Sequence, residues 1–207
     1  LDNDVILRTN ELDNAIDYLK KSGYYYNSKG DSHWFKWLMI SLHGALYGFG
    51  ICAIKGTNSD RVIEIKLKPS KFEKRKQEVV ELYKDEYGID LEDDLLMESI
   101  TKYQVGQLMG IWEVLDCCEN EDYMMQFTFS KLLKLTEKQR RAINKLILYR
   151  NDFIHFKPKD ISVITQSEEW IIEEVVSVIE FLALESRNVF YRGNHTIDKV
   201  EKLLKAF

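Results

Sequence analysis

Residues 34–54 are apolar nearly all the way round, with Lys36 as the single charged side chain and His43 as the single histidine. A helix that is greasy on every side has to be enclosed on every side, by other helices or by lipid. The stretch approaches the roughly 20 residues that a bilayer demands. Lys36 and His43 within it, no second span behind it and no flanking basic cluster favour burial in a helical bundle or dimer. Gly44 and Gly48 stand at GxxxG spacing with Gly50 close by, a pattern that lets a second helix come unusually near. The chain therefore has to supply partner helices for this one.

The rest of the sequence can do so. Only Pro69 and Pro158 interrupt 207 residues, and long stretches lack glycine, which suits helices better than many turn-linked strands. Thr9 or Asn10 caps a first helix reaching about residue 21, ended by Ser22-Gly23, and residues 24–30 read as a turn-rich connection. Asp31 or Ser32 caps the apolar helix, which runs to Lys55-Gly56. Within the polar segment 56–70, Val62, Ile63, Ile65 and Leu67 make one short strand or a loop anchor. Further helices are predicted over 70–87, closed by Gly88, over 103–118 with Val105, Leu108, Met109, Trp112 and Leu115 at core spacing, over 136–156, over 167–186 and over 196–205. The expected fold is all-α: one domain, with a core about 9–56 and 100–187, an insertion at 57–99 and a C-terminal helix at 195–206.

Composition narrows the chemistry. A net charge of −5 excludes a general nucleic-acid coat, which needs excess Lys and Arg. The average conceals segregation: residues 131–159 hold nine Lys/Arg against Glu137 and Asp152, and residues 85–98 hold seven acids and no base. Cys52, Cys117 and Cys118 form an odd set without CxxC or metal spacing, so a reducing cytoplasm is expected, with neither a disulfide framework nor a zinc site. No basic segment followed by an apolar one opens the chain, and no secretory signal is expected. P-loop, Rossmann, GxSxG and Cys/His nucleophile patterns are missing from the sequence, and the acids of 85–98 have no histidine among them.

The helix over 136–156 carries the remaining chemistry. Thr136 with Gln139 makes a capping box, and Lys157-Pro158 stops the helix. At 100° per residue from Ile143, Leu146 falls at about 300°, Ile147 at about 40° and Phe153 at about 280°, with Arg150 at about 340° amid them. A guanidinium in an apolar stripe needs a partner, since leaving it unpaired costs several kcal/mol. Asn144, Asn151 and His155 share one edge of that stripe at about 80–120°, and Asn151 and His155, four residues apart, can touch one anion together. His43 and Tyr47, four residues apart on the apolar helix, reach the same cleft if the two helices pack. Asp152 points to the opposite, solvated side.

The run Tyr149-Arg150-Asn151-Asp152-Phe153-Ile154-His155-Phe156 resembles the signature of the HEPN superfamily: an Arg, a polar residue, and a His four to six residues after the Arg near the end of a late helix. Arg150, Asn151 and His155 match it at close spacing. The helical layout extends the likeness over roughly residues 9–187 and leaves out the 57–99 insertion and the tail. The resemblance implies an antiparallel helical bundle with peripheral helices, a homodimer whose motif helices face each other, and metal-independent RNA cleavage without a cofactor. In that chemistry the substrate's 2′-OH attacks the adjacent phosphate, leaving a 2′,3′-cyclic phosphate and a 5′-OH. His155 acts as general base or acid, Arg150 stabilises the phosphate, and Asn151 orients phosphate or imidazole. His43, Asn144 and Tyr47 are secondary candidates. A toxin or antiviral defence role, silenced by an antitoxin or other regulatory protein, follows from the same resemblance, as does the alternative of a catalytically silent module that binds a nucleotide, RNA or protein. A structural dimer without nucleic acid is a further alternative.

Overall fold

A computed structural model describes residues 9–64, 66–90, 97–98, 100–102, 106–155, 158, 160–191 and 194–207. Most of the described chain is helical, and it divides into two compact units, residues 1–56 with 114–207 and residues 57–113.

The larger unit is organised by the apolar helix. Helix α1 (Glu11–Tyr26) opens at Asn10, whose side chain accepts the Asp13 N–H at 2.8 Å and so satisfies one of the free donors at the helix start. Helix α2 (Trp34–Lys55) runs 22 residues and closes at Gly56, at a φ of 57°. By length and composition α2 could cross a membrane, yet 67% of its most apolar window is buried inside the protein. Leu38, Met39, Leu42, Leu46, Phe49 and Ile54 are fully enclosed, each contributing about 1.5–3 kcal/mol. The GxxxG pair meets α1: a β-carbon on Gly48 would lie 2.7 Å from the Ala15 Cβ, and one on Gly44 would enter the Tyr18 ring.

Helix α1 outruns its expected end by a full turn, through Ser22-Gly23 to Tyr26. Gly23 is there for proximity rather than for termination, since a β-carbon on it would lie 3.2 Å from Ala206. Tyr24, Tyr25 and Tyr26 are thereby helical, and the turn falls on Asn27 to Asp31.

The unit is completed by further helices. Helices α4 (Ile111–Cys118) and α5 (Glu121–Met124) precede α6 (Glu137–Ile154). Helix α7 (Glu169–Glu180) ends in a π-helical turn, Phe181–Glu185, and α8 (Asn194–Leu204) lies against α1. Ile171, Ile172, Val175, Val178 and Ile179 supply the buried side of α7, and Leu182 continues it in the π turn. Behind the π turn, buried Asn188 accepts from Ser130 Oγ at 2.7 Å and donates to the Met124 carbonyl at 2.7 Å.

In the smaller unit, β1 (Ile63–Glu64) pairs antiparallel with β2 (Gln107–Leu108), and α3 (Pro69–Tyr87) ends at Gly88 in the left-handed region, φ 65°. The long helix expected over 103–118 is overturned here. Gln107 and Leu108 are strand, Leu108 is exposed, and the helix starts only at Ile111, where Glu113 accepts the Gly110 N–H. Val105 and part of the acidic stretch, residues 91–96, lie outside the described residues.

Candidate functional site

The site is built on the last turns of α6 and the middle of α2. Thr136 and Gln139 form the reciprocal capping box, with bonds of 3.1 and 2.9 Å, that fixes where α6 begins. Ala142, Ile143 and Leu146 are buried against α2 and α7. Toward its C-terminus α6 is gradually uncovered: Ile147, Arg150 and Phe153 are half-buried and Ile154 is 36% exposed. Phe35 at the start of α2 holds this end in place, with ring centroids 5.3 Å from Tyr149 and 6.4 Å from Phe153, both edge-on.

Arg150 Nη1 donates to Asn151 Oδ1 at 2.9 Å. Among the described residues no carboxylate pairs with this guanidinium, whereas four other cations of the same basic run do find one. Lys131 meets Glu185 at 3.7 Å, Lys138 meets Glu174 at 2.6 Å, Lys145 meets Glu168 at 2.6 Å, and Arg140 meets Glu119. The charge segregation read along the chain is thus cancelled in part; of the described cations of the run that pair with no described carboxylate, Lys134 and Arg141 are exposed to solvent and Arg150 is half-buried. One Asn oxygen occupies one of five guanidinium donors, leaving the fork able to grip a phosphate or carboxylate.

His43 faces this group from α2. Burial first, and the Arg150 charge second, push its pKa down to about 4, so the ring is neutral across the physiological range. The His43 and Tyr47 rings neighbour each other, 6.3 Å between centroids, and both are half-buried. His155 is the C-cap of α6: its N–H donates to the Asn151 carbonyl at 3.1 Å, and its ψ of 121° turns the chain out of the helix. Its side chain is exposed, and the helix expected to reach Phe156 stops at Ile154, because Pro158 forbids continuation. Phe156 itself lies outside the described residues. Asn144 is exposed two turns before Asn151 on the same edge, and Asp152, expected to be solvated, is half-buried.

Arg150, Asn151, His43 and Tyr47 therefore gather at the α2 and α6 surfaces, with His155 at the rim and Asn144 farther along α6. Such a group can bind an anion and hold it against a neutral imidazole; among the described residues the exposed His155 is tied to it only through its backbone bond to the Asn151 carbonyl. Cys52 is no nucleophile, since burial pushes its thiol up to about 12, and buried Cys118 is raised for the same reason. Among the described residues no three His, Cys, Asp or Glu side chains gather to hold a metal ion. Comparison with family models, curated proteins and solved structures finds no match for this chain.

Proposed function

We propose that this protein is a metal-independent endoribonuclease of the HEPN type, working as a homodimer in the cytoplasm, in toxin or defence function under the control of an antitoxin-like partner protein. The observation that carries this reading is a half-buried Arg150 steadied by Asn151 and unmatched by any described carboxylate, with neutral His43 beside it. A phosphate diester satisfies the guanidinium, and the charge that develops on its oxygens as the 2′-OH attacks is stabilised by the same fork. His155, in contact with solvent, moves the proton of the attacking or the leaving oxygen. Leu148, 56% exposed, and Ile154 on the other flank of the site offer apolar surface that a second copy covers, bringing two Arg150–His155 sets to one cleft.

Purified protein is incubated with mixed-sequence RNA in EDTA beside Arg150→Ala and His155→Ala. Cleavage that leaves 2′,3′-cyclic phosphate ends and disappears in both variants supports the enzyme. Absence of cleavage on every RNA tried leaves the second reading, a silent module that binds RNA or a nucleotide, which draws on the exposed, extended placement of His155 beyond the helix end.

A further inference from the structure

We propose that Trp37 on α2, backed by Tyr25 on α1, is a stacking platform for bases of single-stranded RNA that leads along α2 to Arg150. The inference rests on the ribonuclease reading and names how its substrate is held.

Trp37 is 42% exposed although it is the largest side chain type and stands on the most apolar helix of the chain. Tyr25 stacks on it at 6.3 Å with 24° between planes, and Tyr24 meets Tyr25 edge-on at 5.2 Å. Tyr18, two turns earlier on α1, lays its 44% exposed ring over Gly44. The aromatic surface is thus deliberate in the physical sense that two helices hold it flat: the Tyr25 ring sets the Trp37 plane, and the lack of a Gly44 side chain makes room for Tyr18.

Cations border these rings. The Lys36 ammonium lies 4.9 Å from the Trp37 ring centroid, and Lys21 is exposed on the α1 flank between Tyr18 and Tyr25. Glu11, an acid of the same flank, is paired with Lys55. Flat π faces interleaved with cations match a base and its phosphate. When a base settles on the indole, the flexible Lys36 stem can carry its charge to the neighbouring phosphate.

The platform is continuous with the site. Trp37, Ile40, His43 and Tyr47 recur at three- and four-residue spacing and form the partly exposed ridge of α2. From Trp37 to His43 the helix rises about 9 Å, which places a stacked base and a phosphate on Arg150 within the reach of neighbouring nucleotides.

The test is fluorescence anisotropy of labelled oligouridine in EDTA, on a His155→Ala background so that the probe stays intact. Trp37→Ala should weaken binding about 5- to 100-fold, the usual cost of one stacked base. Trp37→Phe should restore most of it, and a duplex competitor should be insensitive to both. Oligouridine binding that is absent, or unchanged in Trp37→Ala, overturns the platform, whatever the nuclease assay gives. A parent protein that binds through Trp37 and never cleaves keeps the platform and sinks the nuclease. If Trp37→Ala instead converts a dimer to a monomer in sedimentation, the face belongs to a second copy and the proposal falls.

Discussion

The coupling between His43 and Arg150 can be read out as stability against pH. His43 titrates near 6.5 in an unfolded chain and at about 4 in the folded protein, lowered by burial and then by the Arg150 charge. Between those values the unfolded chain binds the extra proton, so stability falls as pH falls. The contribution is fully present above about pH 6.5 and is lost progressively as pH drops through 4, at up to about 1.4 kcal/mol per pH unit and about 3 kcal/mol in all. Carboxylates titrate over part of the same range, so the measurement is a difference. Urea unfolding of the wild type and of His43→Gln at a series of pH values should give curves that converge toward acid, the wild type losing its relative advantage at that slope between pH 6.5 and 5. With four histidines in the chain, the His43 ring can also be followed directly by NMR. Its midpoint should lie near 4 and rise in Arg150→Gln while staying below 6.5, because burial is the larger cause. A midpoint at 6.5, or one that ignores the loss of Arg150, would refute the placement of these two groups beside each other.

Two other perturbations check the packing and the assembly. Gly48→Ala brings a β-carbon to 2.7 Å from the Ala15 Cβ and 3.1 Å from its Cα, so the helices must part; it should destabilise by about 1–2 kcal/mol after the gain of about 1 kcal/mol in helix propensity. Gly44→Ala should lose less in the same thermal melts, since the exposed Tyr18 ring it meets can swing away. Leu148→Glu places a charge on the exposed edge of α6 and should leave monomer stability within about 0.5 kcal/mol while shifting sedimentation toward monomer; an unaltered dimer places the subunit contact elsewhere.

Features set by local chemistry were legible in the sequence. The Thr136–Gln139 box and the Gly88 cap depend on neighbours within a turn, and each stands where its residues imply, while the helix before Pro158 ends at Ile154, two residues short of the expected Phe156. The close helix pairing at Gly44 and Gly48 was legible too, although which helix fills it is a tertiary fact, and it is α1. Gly23 misled because a glycine can end a helix or admit a neighbour, and only the presence of α8 distinguishes the two. Residues 103–118 misled because Leu108 and Met109 fit a helical period, while Gly106 and Gly110 bracket a strand whose partner is more than forty residues away. At the site, the wheel located Arg150 among apolar neighbours correctly, but the basic run looked more electropositive than it is, since its acidic partners Glu119, Glu168, Glu174 and Glu185 come from elsewhere in the chain. The exposed aromatic face was hidden by reading Tyr24 to Tyr26 as a turn.

Helix α2 touches α1, α5, α6 and α7, and its interior residues make up much of the core of the larger unit. A scaffold hung on one central rod has few ways to come apart piecemeal. Amide protons along the rod from Leu38 to Phe49 should exchange with solvent only when the whole unit opens, whereas the amide of exposed His155, held by the last bond of α6 to the Asn151 carbonyl, should exchange through opening of that final turn alone.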